Sequence, residues 1–301
     1  MAVEVTGKKG RARLLVIFSA CLWSMGALSV KVLPETHPMT ITFFRSLSGT
    51  IFFLFYLYVW KQDDPSRTAE KKAPRFFGVT WKETAGGLAY GATTLTFFAA
   101  VRLTTAANAT ILQHTSPVWV ALAGYIFLKE KTFLRDWISI FFVLAGVFLC
   151  MSGKIERSGT FGNVLALLSG LAFSFLVIIM RSSGRRSSIR SLILGNIFTI
   201  AVSAPLMIRD EITAGAVLVP VFLGVFQLFL PFILYNYALV YIRAVESTIL
   251  KTIEPVLSPV WVALAVREIP SPESIAGGVL VITVIVVWTL RTEKKIDRKE
   301  V

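Results

Sequence analysis

Two short stretches of the chain hold the residue types best suited to binding chemistry. Lys251 and Glu254 lie three positions apart inside a long apolar run, so a helix puts them on one face. An ionised side chain within hydrocarbon costs roughly 2.5–3.5 kcal/mol on insertion scales, so it faces a cavity or a partner. Two readings follow: a pair that binds a charged group of a solute or a coupling proton, or a structural ion pair near a membrane border with Lys251 reaching to the interface. Glu254 is the stronger candidate, since it lies deeper and precedes Pro255. That proline frees a carbonyl on the preceding turn, which makes a hinge or a polar ligand.

The second stretch resembles the first. Shifting the chain by 138 residues brings Ala106 onto Ala244, Thr110-Ile111-Leu112 onto Thr248-Ile249-Leu250, Pro117-Val118 onto Pro255-Val256 and Lys129-Glu130 onto Arg267-Glu268, without gaps. Gln113 then stands opposite Lys251, Ser116 opposite Glu254, and Pro117 is the second hinge candidate; His114 adjoins Gln113. A patch of Gln113, His114 and Ser116 is expected to face Lys251 and Glu254 across a symmetry axis. An imidazole can exchange a proton near neutral pH; equally, a lone histidine is often a hydrogen-bonded structural residue.

Catalytic chemistry has no counterpart. There is no Walker-type phosphate loop, HExxH, nucleophile elbow or CxxC, so no catalytic residue, cofactor or ATP-driven step is expected. Cys21 and Cys150 sit inside apolar runs, and His37 and His114 are too far apart for a metal site. The net charge of +13 does not point to nucleic acid, because the basic residues punctuate apolar runs.

The elements that must carry these residues are membrane spans. Of the 301 residues 55% are hydrophobic and 16% charged, with mean hydropathy +0.69; soluble domains carry about 25% charged residues. A bilayer core needs roughly 20 apolar residues of helix. Ten such runs are present, near 14–33, 41–60, 83–101, 106–128, 134–151, 162–180, 191–208, 216–240, 247–266 and 274–290. Lys8, Lys9, Arg11 and Arg13 before Leu14–Leu22 resemble a secretion signal, but the apolar run continues to Leu33 and reads as a first span. Residues 61–82 and the tail after Leu290 are charged and read as solvated segments.

With ten spans, 23 of the 31 Lys and Arg residues fall on the side holding both termini, 6 on the other, and Arg45 and Lys251 within spans. This asymmetry predicts cytoplasmic termini in a plasma (inner) membrane protein. The fold class expected is all-α and polytopic: ten transmembrane helices in two inverted five-helix repeats, residues 1–155 and 156–301. Five is odd, so the second half enters the membrane from the opposite side, an arrangement common in secondary transporters. Arg45, near one end of its span, reads either as reaching to the interface or as an anchor in a cavity or between helices. Gly87-Leu88-Ala89-Tyr90-Gly91 predicts close helix packing.

The chain resembles the EamA-like ten-helix branch of the drug/metabolite transporter superfamily. The resemblance rests on Leu22-Trp23-Ser24, on Phe44-Arg45, and on Ala109-Thr110-Ile111-Leu112 through Pro117 to Lys129-Glu130. It also rests on Ser247-Thr248-Ile249-Leu250 through Glu254-Pro255 to Arg267-Glu268. One departure is Ile269-Pro270 after Arg267-Glu268, in place of a longer apolar exit. The resemblance implies a central cavity lined by spans one, three, four, six, eight and nine, and substrates among amino acids, other metabolites and drugs, often exported. On those spans Trp23, Tyr90, Thr94, Phe97, Phe173, Gln227, Tyr235 and Asn236 join Gln113, His114, Lys251 and Glu254 as cavity candidates; each aromatic is equally open to helix packing. The function expected is a secondary carrier of small organic metabolites by alternating access, with a coupling proton as one admissible partner, working as a monomer or weak homodimer. A membrane-embedded enzyme acting on a lipid or isoprenoid, or a channel, are the alternatives.

Overall fold

The structure, a computed structural model, describes residues 2–26, 33, 36–59, 78–152, 159–207, 213–266 and 271–297, with no side-chain detail for 2–6, 262, 263, 265, 266 and 292–297. Among the described residues the regular elements are helices: α1 Ala2–Ser24, α2 Pro38–Val59, α3 Trp81–Leu103, α4 Ala106–Gln113, α5 Ser116–Phe127, α6 Leu134–Met151, α7 Thr160–Ser182 and α8 Arg185–Met207. They continue with α9 Ala214–Leu223, a π turn at Gly224–Phe229, α10 Leu230–Ala238, α11 Ala244–Lys251, α12 Glu254–Val266 and α13 Pro272–Asp297.

These elements make ten spans. Six continuous stretches are long and apolar enough to cross a bilayer by themselves: α2, α6, α7, α8, α9 through α10, and α13 as far as Arg291. Of the other four, α1 and α3 carry charges near their ends, while α4–α5 and α11–α12 are each one span interrupted in the middle. Large apolar side chains such as Leu54, Phe55, Phe141 and Leu218 cover the outside, whereas Ser46, Ser169, Ser188, Asn196 and Thr199 are buried. That polarity suits lipid, where helix association relies on small residues and hydroxyls rather than on hiding apolar surface. On α8 the buried hydroxyls of Ser191, Thr199 and Ser203 donate to carbonyls one turn back, which satisfies them within their own helix.

Two boundaries differ from expectation. Helix α1 starts at Ala2 and α13 runs to Asp297; Lys, Glu and Arg in those ends are good helix formers, so polarity there ends the apolar run without ending the helix. The expected loop 61–82 and the Arg267–Pro270 departure lie wholly or mostly outside the described residues.

The halves pack as a pseudo-symmetric pair. Span three lies against spans six and seven, span eight against one and two; span four packs on six and nine on one; spans five and ten pair with each other. Exchanging each span n of the first half with n+5 of the second reproduces this pattern. The glycines at two crossings fix the equivalence. A Cβ on Gly87 of α3 would meet Ser191 O, Leu194 and Gly195 N of α8, and one on Gly224 would meet Arg45 O, Ser48 and Gly49 N of α2. Both crossings are thus backbone-to-backbone, and the expected packing role of Gly87 and Gly91 holds, Gly91 being filled by the Phe198 ring.

Gly87 and Gly224 are 137 residues apart, whereas the register from Ala106 and Ala244 onward is 138. Span eight has therefore gained one residue, and the π turn lies where that residue must be absorbed. Single π turns within α-helices arise this way and recur at functional sites.

Candidate functional site

The two interrupted spans break in the same register. Helix α4 ends at Gln113 and α5 starts at Ser116; α11 ends at Lys251 and α12 starts at Glu254. In both, a proline is the second residue of the new half-helix, where its missing N–H would have had no helical partner. The prolines therefore follow the interruptions rather than kinking continuous helices. Pro117 and Pro255 are both buried.

The breaks meet in the interior. Lys251 Nζ lies 2.7 Å from Glu254 Oε2, and His114 Nε2 lies 3.7 Å from the same oxygen. The Lys251 ammonium also sits over the Phe173 ring at 4.7 Å and the Trp23 ring at 5.5 Å, so spans one and six, equivalent in the two halves, enclose it with aromatic faces. His114 is 2% exposed. Its Nδ1 lies 2.8 Å from the Thr110 carbonyl; a carbonyl can only accept, so Nδ1 carries the hydrogen. In the neutral ring Nε2 then presents a lone pair towards the Glu254 carboxylate, and it has no hydrogen-bond partner. A proton there turns that edge into a donor aimed at the carboxylate.

Buried aromatic residues pack beside the pair. Trp23 meets Phe232 and Tyr235 edge-on at 5.0 and 5.3 Å, and Phe232 meets Tyr90 at 5.5 Å. The Tyr235 hydroxyl and Ser247 Oγ are 2.8 Å apart, and Tyr90 donates to Asn196 Oδ1 at 3.2 Å. Gln227, within the π turn, donates to the Trp23 carbonyl at 3.3 Å and accepts from Arg45 Nη1 at 2.9 Å. The Ser24 hydroxyl accepts from Trp261 Nε1 at 2.7 Å, tying the end of α1 to α12.

Of the sequence candidates, Trp23, Tyr90, His114, Phe173, Gln227, Tyr235, Lys251 and Glu254 are joined by these contacts. Thr94, buried one turn beyond Tyr90, is hydrogen-bonded to the Tyr90 hydroxyl and joins them. Three others are not joined. Gln113 turns to Ser169 Oγ at 2.9 Å, which in turn donates to the Thr93 carbonyl. Phe97 packs in a separate cluster with Ala100, Ala109 and Ala166. Asn236 donates to the Arg185 carbonyl at 2.9 Å, near the start of α8.

Sequence reasoning did not single out a set of ion pairs at one end of the bundle. Arg13 bonds Glu246 at 2.7 Å, Arg190 bonds Glu83 at 3.3 Å, Arg181 bonds Glu130 at 3.0 Å, and Arg243 grips both oxygens of Asp136 at 2.8 and 3.1 Å. Asp136 also accepts from Trp288 Nε1, and Glu130 from the Ala244 N–H that opens α11. Burial by itself would lower the Arg243 guanidinium, but the hydrogen bond and charge of Asp136, with Glu246 and Glu130 nearby, hold it above the ordinary arginine value. All four pairs lie at the end where α3, α6, α8 and α11 begin. The available signal was an acid within or beside a basic-flanked span start.

A sequence model of the EamA-like transporter family matches residues 10–152 and 160–290. The chain belongs to the EamA-like transporter family, within the drug/metabolite transporter superfamily. An uncharacterized transporter of Archaeoglobus fulgidus is 24% identical over 300 residues, covering 93% of this chain and 98% of that protein. The uncharacterized transporter YdfC of Bacillus subtilis is 24% identical over 181 residues, 58% of this chain and 59% of its own. A solved crystal structure with 18% sequence identity shares the fold, with a TM-score of 0.76 over 94% of this chain and 98% of that one. The protein is thus a membrane transporter of the drug/metabolite type.

Proposed function

We propose that the protein is a secondary carrier that exports small organic metabolites, amino acids or related compounds, by alternating access across the plasma membrane, with both termini in the cytoplasm. The observation that carries this reading is the meeting of the two half-helix breaks at Lys251, Glu254 and His114. Glu254 is shared between a cation on its own span and an imidazole on the equivalent span of the other repeat. With His114 neutral, Glu254 belongs to Lys251; with a proton on Nε2, Glu254 gains a second cation and the end of α4 is tied to the start of α12. Proton binding therefore changes how strongly the repeats hold together, which is what coupling to a rocking motion requires. Trp23, Phe173 and Tyr235 offer faces for an apolar solute body, and Tyr90 and Gln227 offer polar tips.

The ion pairs at the end where α3, α6, α8 and α11 begin support a conformation latched on the side assigned to the cytoplasm. Opening that side requires Arg13–Glu246 and Arg243–Asp136 to part. The test is counterflow in proteoliposomes with a labelled amino-acid mixture. Saturable uptake stimulated by unlabelled solute inside the vesicle supports a carrier; uptake indifferent to internal solute refutes it, because a pore is not trans-stimulated.

A further inference from the structure

We infer that Arg45 on α2 is an anion subsite, and that the transported solute carries a carboxylate-like group seated on its guanidinium. The inference deepens the carrier reading and rests on it. Arg45 sits inside a span, and its nearest polar partner is neutral: Nη1 donates to Gln227 Oε1 at 2.9 Å. The Phe98 ring covers the guanidinium at 5.2 Å from its centroid. Among the described residues no carboxylate comes within ion-pair distance of it, while its Nε is buried without a hydrogen-bond partner. Buried charges are otherwise paired, because an uncompensated ion in low dielectric is strongly disfavoured. The neighbouring cation, Lys251, is compensated by Glu254, so the surplus positive charge resides on Arg45.

Packing does not account for this cation. In the equivalent crossing of the other half the same backbone position is Ser191, and that crossing closes on Gly87 and Gly195 with the adjacent Arg190 paired to Glu83. The Tyr90 hydroxyl, bonded to Asn196 there, also lies within electrostatic reach of Arg45. A cation without a carboxylate partner is thus specific to the α2 side, as is the π turn that brings Gln227 to Arg45. With Nη1 committed to Gln227, the edge bearing Nε is left for a ligand. That edge is a planar fork that matches two carboxylate oxygens. Gln227 also holds the Trp23 carbonyl, so an acidic group on Arg45 lies one residue's reach from the aromatic faces proposed for the solute body.

Three isosteric probes test this on the purified full chain in neutral detergent: benzoate, benzamide and benzylamine. Benzoate is expected to raise Tm more than the other two, and its affinity to fall at least tenfold in Arg45→Gln. A second variant guards against misfolding of the first. Gln227→Glu supplies an internal carboxylate to the same guanidinium, so its Tm should rise and its benzoate response should vanish. A benzoate response no greater than that of benzamide, or one that survives in Gln227→Glu, overturns the inference. Counterflow judges the carrier reading separately: trans-stimulation without any benzoate response would leave the carrier standing and remove the anion subsite.

Discussion

At one break in the bundle the chain places Gln113, His114 and Ser116; at the other, in the same register, it places Lys251, Thr252 and Glu254. The backbone does the same thing twice: a short half-helix, two residues of interruption, then a new half-helix with proline in its first turn. The side chains do not. One break is neutral with a titratable ring, and the other is a zwitterion. A symmetric scaffold with asymmetric chemistry lets one half supply the charge and the other answer it, so the two breaks can be perturbed independently.

The largest expected effect comes from removing the charge on one side only. Glu254→Gln should lower counterflow by more than tenfold, while Ser116→Ala, its counterpart, should stay within twofold in the same vesicles; equal losses would erase the functional asymmetry. Next is stability. Taking away one member of a buried pair leaves the other uncompensated, so Lys251→Gln should cost about 3 kcal/mol. The double variant Lys251→Gln, Glu254→Gln should recover part of it. A denaturation cycle showing strict additivity would mean the two residues do not interact.

The third effect concerns the ring that faces Glu254. His114→Asn removes the Nε2 edge that lies 3.7 Å from the carboxylate, so counterflow should fall several-fold in the same vesicles, whereas Thr252→Val should stay within twofold. The smallest effect is at the hinges. Pro117→Ala and Pro255→Ala restore an N–H at positions that need none, so each should change stability by less than about 1 kcal/mol. Any drop in transport should be larger for Pro255, which bears the charged pair.

Much of this was legible in the chain. The ten spans, the odd number per half and the paired prolines at 117 and 255 followed from apolar run length and one gapless register; the two-residue interruption ahead of each proline, in place of a kink within a continuous helix, did not. Lys251 and Glu254 stood out because charge in hydrocarbon demands a partner. What the pattern could not supply was rotation. Gln113 aligns with Lys251 yet turns towards Ser169, and Asn236 bonds the Arg185 carbonyl; a few tens of degrees about a helix axis decide such partners, and register is blind to that. Arg45 presented both an interface and an anchor reading. Only the fold placed Gln227 and Phe98 against it.

The extra residue in span eight has a geometric consequence. A residue added to an α-helix swings everything after it by about 100° around the axis and pushes it about 1.5 Å along. The wide turn at Gly224–Phe229 swallows that offset, so Gly224 at its start docks on α2 while Tyr235 downstream still faces Ser247 and Trp23. Should the turn tighten to ordinary winding, the excess must travel along the helix, and Tyr235 would sweep away from both. A wide turn that can migrate is a rotary joint within a single strand of backbone, and it sits beside Arg45, a cation with no carboxylate partner among the described residues.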